Sequence, residues 1–148
     1  MSTRDKIWAK MKWHIIKRRL KYTDAQMNIF KTNPRNDDVL SKAPELMMKT
    51  IIVQVVDSHG CNSQHKLGDS FHFDGAGNLL TKLSPKKICI YALNAITPQI
   101  FSANELLFAG IDPNEMRFKR AACFDVGLEC DGWGRIVMEM RVESRNNA

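Results

Sequence analysis

Four side chains capable of chemistry fall close together between Ser58 and Asp69. This stretch reads SHGCNSQHKLGD and contains His59, Cys61 and His65 as well as the aspartate. Cys61 and His65 are four positions apart, a spacing that lets both reach one ion from a helix or from a loop after a strand. The same pair could act as thiol nucleophile and imidazole base, with Asp69 orienting the ring. We therefore expect a site here, with Cys61, His65 and Asp69 as its catalytic candidates.

Two distant cysteines extend this hypothesis to a metal site. Cys89 and Cys123 could bring further thiolates to Cys61 and His65, which gives a predicted ligand set for a zinc or an iron ion. The spacing of these four residues matches no established zinc motif. With Cys130, the chain has four cysteines and no Cys-x-x-Cys pair, so we expect free thiols rather than disulfides.

A purely structural alternative explains the same residues. Isolated cysteines are among the most often buried residue types and pack as small hydrophobes. Gly68 and Asp69 can form a turn and the start of the next strand, with His65 hydrogen-bonded to the aspartate. The metal, the nucleophile and the structural interpretation all remain open at the level of sequence.

Charge divides the chain into two parts. Residues 1–48 contain eleven Lys or Arg and five Asp or Glu, whereas residues 49–148 contain eleven of each, so the net charge of +6 lies entirely in the first third. We predict two regions, a basic helical arm over 1–48 and a body over 49–148.

The arm should consist of short helices. Residues 4–21 have apolar side chains on two opposite stripes, where a helix lying on a single core needs only one. Thr23 to Gln26 is a capping-box pattern that predicts a second helix, and Asn33-Pro34 should end it. Further helical turns are expected over 37–42 and 44–48, with Pro44 at a first helical position. The second stripe leads us to expect a protein partner or a homo-oligomer through residues 4–30.

The body has the pattern of an α+β fold. Residues 50–56 are rich in β-branched side chains, and 69–73, 116–124 and 135–142 supply three more predicted strands. Residues 88–109 are long enough for one buried helix, which Pro98 should split or kink. We expect a small, bent antiparallel or mixed sheet, or a partial barrel, packed on that helix and preceded by the helical arm.

The motif residues also carry a resemblance. The pattern Cys61-x3-His65-x2-Gly68-Asp69-x-Phe71, with further cysteines at 89 and 123, resembles an uncharacterised family of small prokaryotic proteins found mostly in anaerobes. The resemblance covers residues 50–142. It implies a shared role for the three cysteines but no specific chemistry. Gln64, Ile90 and Phe124 depart from it, since the family often has glycine, proline and proline there.

Three functions fit these observations. The first is an accessory or small subunit of a larger enzyme complex, docked through the arm and carrying a Cys/His site in the body. The alternative is a stand-alone lyase, isomerase or hydrolase that uses Cys61, His65 and Asp69, with or without a metal. The third is nucleic-acid binding through basic residues of the arm, namely Lys10, Lys12, Lys17, Arg18, Arg19 and Lys21.

Nucleic-acid binding is the least favoured of the three functions, because no recognition fold accompanies these charges. Trp8 and Trp13, which could stack on bases, lie on different sides of the helix. Association with a membrane surface is not expected, because the apolar residues of the arm do not form one face. The sequence starts without a signal-peptide pattern, and its longest apolar run is interrupted by polar residues. We therefore expect a cytoplasmic protein. Substrate, metal and partner are not specified by the sequence.

Overall fold

The computed structural model describes residues 2–145 of the chain. It divides into two compact units, Met1–Met47 and Met48–Ala148. Three helices form the first unit: α1 (Thr3–Leu20), α2 (Asp24–Thr32) and α3 (Pro34–Leu46). One long helix and four strands form the second unit: β1 (Lys49–His59), β2 (Ser70–Asp74), α4 (Ile90–Ala109), β3 (Arg120–Ala122) and β4 (Arg135–Ser144).

The helices of the first unit begin at conventional caps. The predicted capping box of α2 is confirmed, since the Thr23 and Gln26 side chains each accept the other residue's backbone N–H. Asn33 caps α3 and Pro34 takes its first position. The prediction that Pro44 starts a separate helix is wrong, because Pro44 lies inside α3.

A cross-helix contact explains how α3 tolerates that proline. Proline has no N–H to donate to the carbonyl four residues before it, here that of Leu40. The indole Nε1 of Trp8, on α1, donates a hydrogen bond to the Leu40 carbonyl instead. Trp8 of α1 thus packs on α3, and the missing helix hydrogen bond is replaced.

The sheet of the second unit is antiparallel and open, with strand order β2-β1-β4-β3. The sequence predicted an antiparallel sheet, a mixed sheet or a partial barrel, and the structure has the antiparallel sheet. The α+β class is confirmed. The β1–β4 register shifts between Val55 and Asp57, an irregularity that bends a sheet. The strand predicted over 116–124 is reduced to β3.

Helix α4 packs against this sheet with one face only. Ala92, Ile96 and Ala103 are fully buried, whereas Tyr91 and Phe101 on the opposite side are largely exposed. Of the predicted split or kink at Pro98, the split does not occur, since α4 continues through this residue. None of the helices in residues 2–145 is both long and apolar enough to cross a membrane.

Candidate functional site: a thiol-lined cavity

The second unit contains a cavity of about 340 Å³ that collects residues from four separate segments. Cys61 and His65 reach it from the loop after β1, Cys89 from the start of α4, and Cys123 from the residue after β3. All four predicted metal-ligating residues therefore lie at one place. Asp69 does not line the cavity, and the exposed His59 is the last residue of β1.

A tight turn places the first two residues. The backbone N–H of Gln64 donates to the Cys61 carbonyl at 2.9 Å, which closes a four-residue turn, and Gln64 takes a positive φ of 64°. The Ser58 hydroxyl then donates to the His65 carbonyl at 2.6 Å. These bonds fold the loop back on the end of β1 and direct His65 inward.

The cavity wall also depends on close approach of two backbones. A Cβ added to Gly134 would lie 2.1 Å from the Gly60 carbonyl oxygen, far inside contact distance. Only glycine fits at Gly134, just before β4, because the loop after β1 crosses it there. The glycine-rich run before β4 is therefore a packing contact beside the cavity.

His65 is buried and holds the start of α4 in place. Its Nε2 accepts the backbone N–H of Cys89 at 3.2 Å, and its ring meets Phe71 edge-on at 5.1 Å between centroids. Burial lowers the pKa of His65, the Asp69 carboxylate raises it in part, and the charge of Lys87 lowers it again. The net direction is downward, which favours a neutral ring whose lone pair is already occupied by the Cys89 amide.

Asp69 acts mainly on its own loop. Its Oδ2 accepts the Lys66 backbone N–H at 3.0 Å, and the same oxygen is 3.9 Å from Nδ1 of His65, beyond hydrogen-bonding distance. The carboxylate shapes the turn and contributes charge to the imidazole. The Cys61, His65 and Asp69 triad is thus not joined by hydrogen bonds in this arrangement.

Cys89 occupies the N-cap position of α4, where backbone amides favour negative charge. Its side chain makes no standard capping hydrogen bond. Burial raises the pKa of this thiol, but the Ala92 amide, the Ser63 hydroxyl and the Tyr91 amide lower it by more, so the net shift is downward. The site therefore favours the thiolate of Cys89, the reactive form of a cysteine.

The thiol of Cys123 is already engaged in local hydrogen bonds. It donates to the Asp125 carbonyl at 3.3 Å and accepts the Ile136 backbone N–H at 3.3 Å. These bonds connect the end of β3 to β4. Cys61, by contrast, has no side-chain hydrogen bond within residues 2–145.

Asp125 and the aromatic residues complete the cavity mouth. The Asp125 carboxylate accepts the Gly127 and Trp133 backbone N–H groups, each at 3.0 Å. The Gly127 hydrogen bond lowers the pKa of Asp125, burial raises it, and the Gly134 and Trp133 amides lower it further. Tyr91 and Trp133 line the cavity while remaining largely exposed. The mouth is therefore an ordered, aromatic rim.

The arrangement does not form a conventional ligand set for a metal. Throughout the described range, 2–145, no three His, Cys, Asp or Glu side chains are placed so that they could together hold a metal ion. The Nε2 of His65 and the thiol of Cys123 are used in hydrogen bonds. The zinc or iron site at Cys61, His65, Cys89 and Cys123 stays a prediction.

Comparisons with protein-family models, with curated proteins and with solved structures found no match to this chain. The resemblance to a family of small prokaryotic proteins therefore remains an expectation.

Sequence reasoning missed the distinct role of Cys89. It grouped Cys89 with the metal ligands, although a cysteine directly before a long apolar helix is itself a signal for a thiol at a helix N-terminus. Asp125 also lines the cavity and accepts two backbone amides. Its two amide partners come from a loop without a regular pattern, so the sequence offered no signal for them.

Proposed function

We propose that the second unit is a thiol-dependent catalytic unit in which Cys89, rather than Cys61, is the nucleophile. The observation that carries the proposal is the position of Cys89, which lies at the N-terminus of the 20-residue helix α4 and on the wall of the cavity. A thiolate at such a position attacks an electrophilic atom of a bound substrate. The downward shift in the pKa of Cys89 supports the same role.

The surroundings of Cys89 favour some reactions over others. Acyl hydrolysis needs a base and donors for an oxyanion. The Nε2 lone pair of His65 is occupied by the Cys89 N–H, so this ring cannot act as the base. The geometry therefore supports direct attack by the Cys89 sulfur better than a Cys-His-Asp hydrolase. This chemistry needs reduced thiols, and we propose a cytoplasmic location, where thiols stay reduced.

Competitive alkylation tests the assignment. The reduced protein is treated at neutral pH with a limiting amount of iodoacetamide, and the modified peptides are quantified by mass spectrometry. Cys89 is half-buried and Cys130 is exposed, so accessibility alone predicts that Cys130 reacts first. We expect Cys89 to react first, and Cys89→Ser but not Cys130→Ser to abolish the fast phase. A fast phase of alkylation that is still present in Cys89→Ser would contradict the assignment of Cys89 as the nucleophile.

A second function, docking as an accessory subunit, is favoured by the exposed stripe of α1. This stripe consists of Ile7, Met11 and Ile15, spaced four residues apart and 56%, 44% and 36% exposed. Exposed Arg4 and Arg18 lie in the same sector of the helix, so the surface is apolar with a basic margin. Such a surface fits the acidic amphipathic helix of a protein partner.

The exposed stripe can be tested without knowing the partner. Size-exclusion chromatography of native extract should place the wild-type chain in a complex, and Met11→Asp should shift it to the monomer position. Ile29→Asp is the matched control, because Ile29 is a 72% exposed apolar residue of α2. A wild-type chain that elutes only as a monomer would exclude docking.

Nucleic-acid binding gains little support from the first unit. Lys12 is buried and paired with Asp37, and Lys17 is paired with Asp24. The Trp13 ring packs edge-on against Phe30. Several of the groups expected to contact phosphates or bases are therefore used within the unit.

A further inference from the structure

Cys61 lies within the same loop that contacts Cys89. Ser63 and His65 of this loop line the cavity together with Cys89, and Nε2 of His65 accepts the Cys89 backbone N–H. The turn closed by the Gln64 N–H and the Cys61 carbonyl holds Cys61 against these residues. The ends of such a turn are less than about 7 Å apart between Cα atoms. Cys61 and Cys89 both line the cavity, Cys61 from this loop and Cys89 from the start of α4.

The other two thiols are less suited to react with Cys89. Cys123 also lines the cavity, but its thiol is held by the Asp125 carbonyl and the Ile136 amide. Cys130 is exposed and does not line the cavity. Cys61 is thus the cavity thiol that can turn towards Cys89 without breaking a hydrogen bond of its own side chain.

We infer that Cys61 is a resolving thiol, and that Cys61 and Cys89 form a reversible internal disulfide when a disulfide substrate enters the cavity. The inference rests on the proposed role of Cys89 as nucleophile. It assigns the substrate class as disulfides and the reaction as thiol–disulfide exchange.

The exchange balances in two steps. The Cys89 thiolate attacks one sulfur of the substrate R–S–S–R, forming a Cys89–S–S–R bond and releasing RS⁻. Cys61 then attacks Sγ of Cys89, forming the Cys61–Cys89 disulfide and breaking the bond between Cys89 and the R–S group. That group takes up the Cys61 proton and leaves as RSH. The two cysteines lose two electrons, and the substrate disulfide gains them. A dithiol donor returns the pair to the reduced state by the reverse steps.

The rim of the cavity indicates what the substrate carries. Tyr91 and Trp133 line the cavity while 62% and 71% exposed, and Phe124 lies beside Tyr91 with 6.5 Å between ring centroids. Exposed aromatic rings around a reactive thiol fit an aromatic or apolar group. We therefore expect disulfides with aromatic or apolar arms to react best.

The test uses the full chain with Cys130→Ser, which removes the exposed thiol. The reduced protein is mixed with dithiodipyridine, an aryl disulfide, and its disulfides are mapped by mass spectrometry without reduction. We expect a peptide pair linked through Cys61 and Cys89. Adding Cys61→Ser should eliminate this pair and leave Cys89 as a stable mixed disulfide, whereas adding Cys89→Ser should prevent both products.

Failure of the inference and failure of the proposed function give different results. A stable mixed disulfide at Cys89 beside a free Cys61, or a link between Cys89 and Cys123, would overturn the role of Cys61 and leave Cys89 as nucleophile. No reaction at Cys89 would overturn both.

The role of the rim is tested separately with Trp133→Ala. We expect a roughly two- to tenfold slower reaction with dithiodipyridine, the range for loss of one aromatic contact, and an unchanged rate with hydroxyethyl disulfide. An equal loss with both reagents, or no loss with either, would overturn the preference for aromatic substrates.

Discussion

The imidazole of His65 and the backbone amide of Cys89 are joined by a hydrogen bond of 3.2 Å across 24 residues of sequence. This bond ties the loop after β1 to the first turn of α4. It also uses the lone pair that a catalytic base would need. His65 is therefore best described as a positioning residue that holds Cys89, the proposed nucleophile.

We expect His65→Ala to weaken both the fold and the reactivity of Cys89. The change leaves the Cys89 N–H without its acceptor in a part-buried place, which costs about 1–3 kcal/mol at most. His65→Gln offers an amide oxygen and should retain more of both properties. Urea unfolding and the alkylation rate of Cys89 measure the two effects.

His59→Ala is the matched control, because His59 is exposed at the end of β1. If His65→Ala left the alkylation rate of Cys89 at the His59→Ala level, the positioning role would be wrong.

Stability should fall on mild acidification. Burial lowers the pKa of His65 and of His72 below the ordinary 6.5, so the unfolded chain binds these protons more readily than the folded one. The free energy of unfolding therefore decreases as pH drops through about 6.5 and continues to decrease until the folded pKa is reached. Asp125 and the other carboxyls with lowered pKa act only at more acidic pH.

Urea unfolding at several pH values between about 7 and 5 measures this slope. His65→Gln and His72→Gln should each remove part of it. If the free energy of unfolding depended on pH in the double variant as it does in the wild type, these histidines would not be the groups that destabilise the protein on acidification.

Gly134→Ala should destabilise the second unit strongly. The added Cβ would meet the Gly60 carbonyl oxygen at 2.1 Å and the His59 carbonyl oxygen at 2.5 Å, both rigid backbone atoms. We expect a loss of about 2–4 kcal/mol. Gly68→Ala is the comparison, because its Cβ would meet nothing within 4 Å and only the positive φ of 91° opposes it. Equal losses in chemical denaturation would contradict the close approach.

Asp125→Ala should loosen the loop that carries Trp133. The change removes the acceptor for the Gly127 and Trp133 amides, so hydrogen exchange at both should accelerate. Asp125→Asn keeps one acceptor oxygen and should have a smaller effect. Glu129→Ala, an exposed acidic residue of the same loop, should leave exchange at both amides unchanged. Faster exchange in Glu129→Ala alone would contradict the role of Asp125.

Local signals predicted much of the fold. The β-branched run at 50–56 lies within β1, and the capping box at Thr23 starts α2. Prolines were harder to interpret, because a helix can accept one where another group satisfies the free carbonyl. The Trp8 indole donates a hydrogen bond to the carbonyl of Leu40, four residues before Pro44. No local sequence pattern contains that long-range contact.

The location of the site was easier to predict than its chemistry. Cys61, His65, Cys89 and Cys123 all line one cavity. Their roles depend on hydrogen bonds between distant segments, such as that of His65 with Cys89 and that of Ile136 with Cys123. Residue types suggested a triad, whereas the geometry separates Asp69 from it.

The most direct test of the central claim is the pH dependence of alkylation at Cys89. The rate of iodoacetamide modification is followed peptide by peptide between about pH 5 and 10, in the wild type and in Cys61→Ser. We predict that the rate at Cys89 reaches half its maximum below the ordinary thiol pKa of 9.0, because the Ala92 and Tyr91 amides and the Ser63 hydroxyl lower the pKa of this thiol. A midpoint at or above that value would contradict Cys89 as the nucleophile.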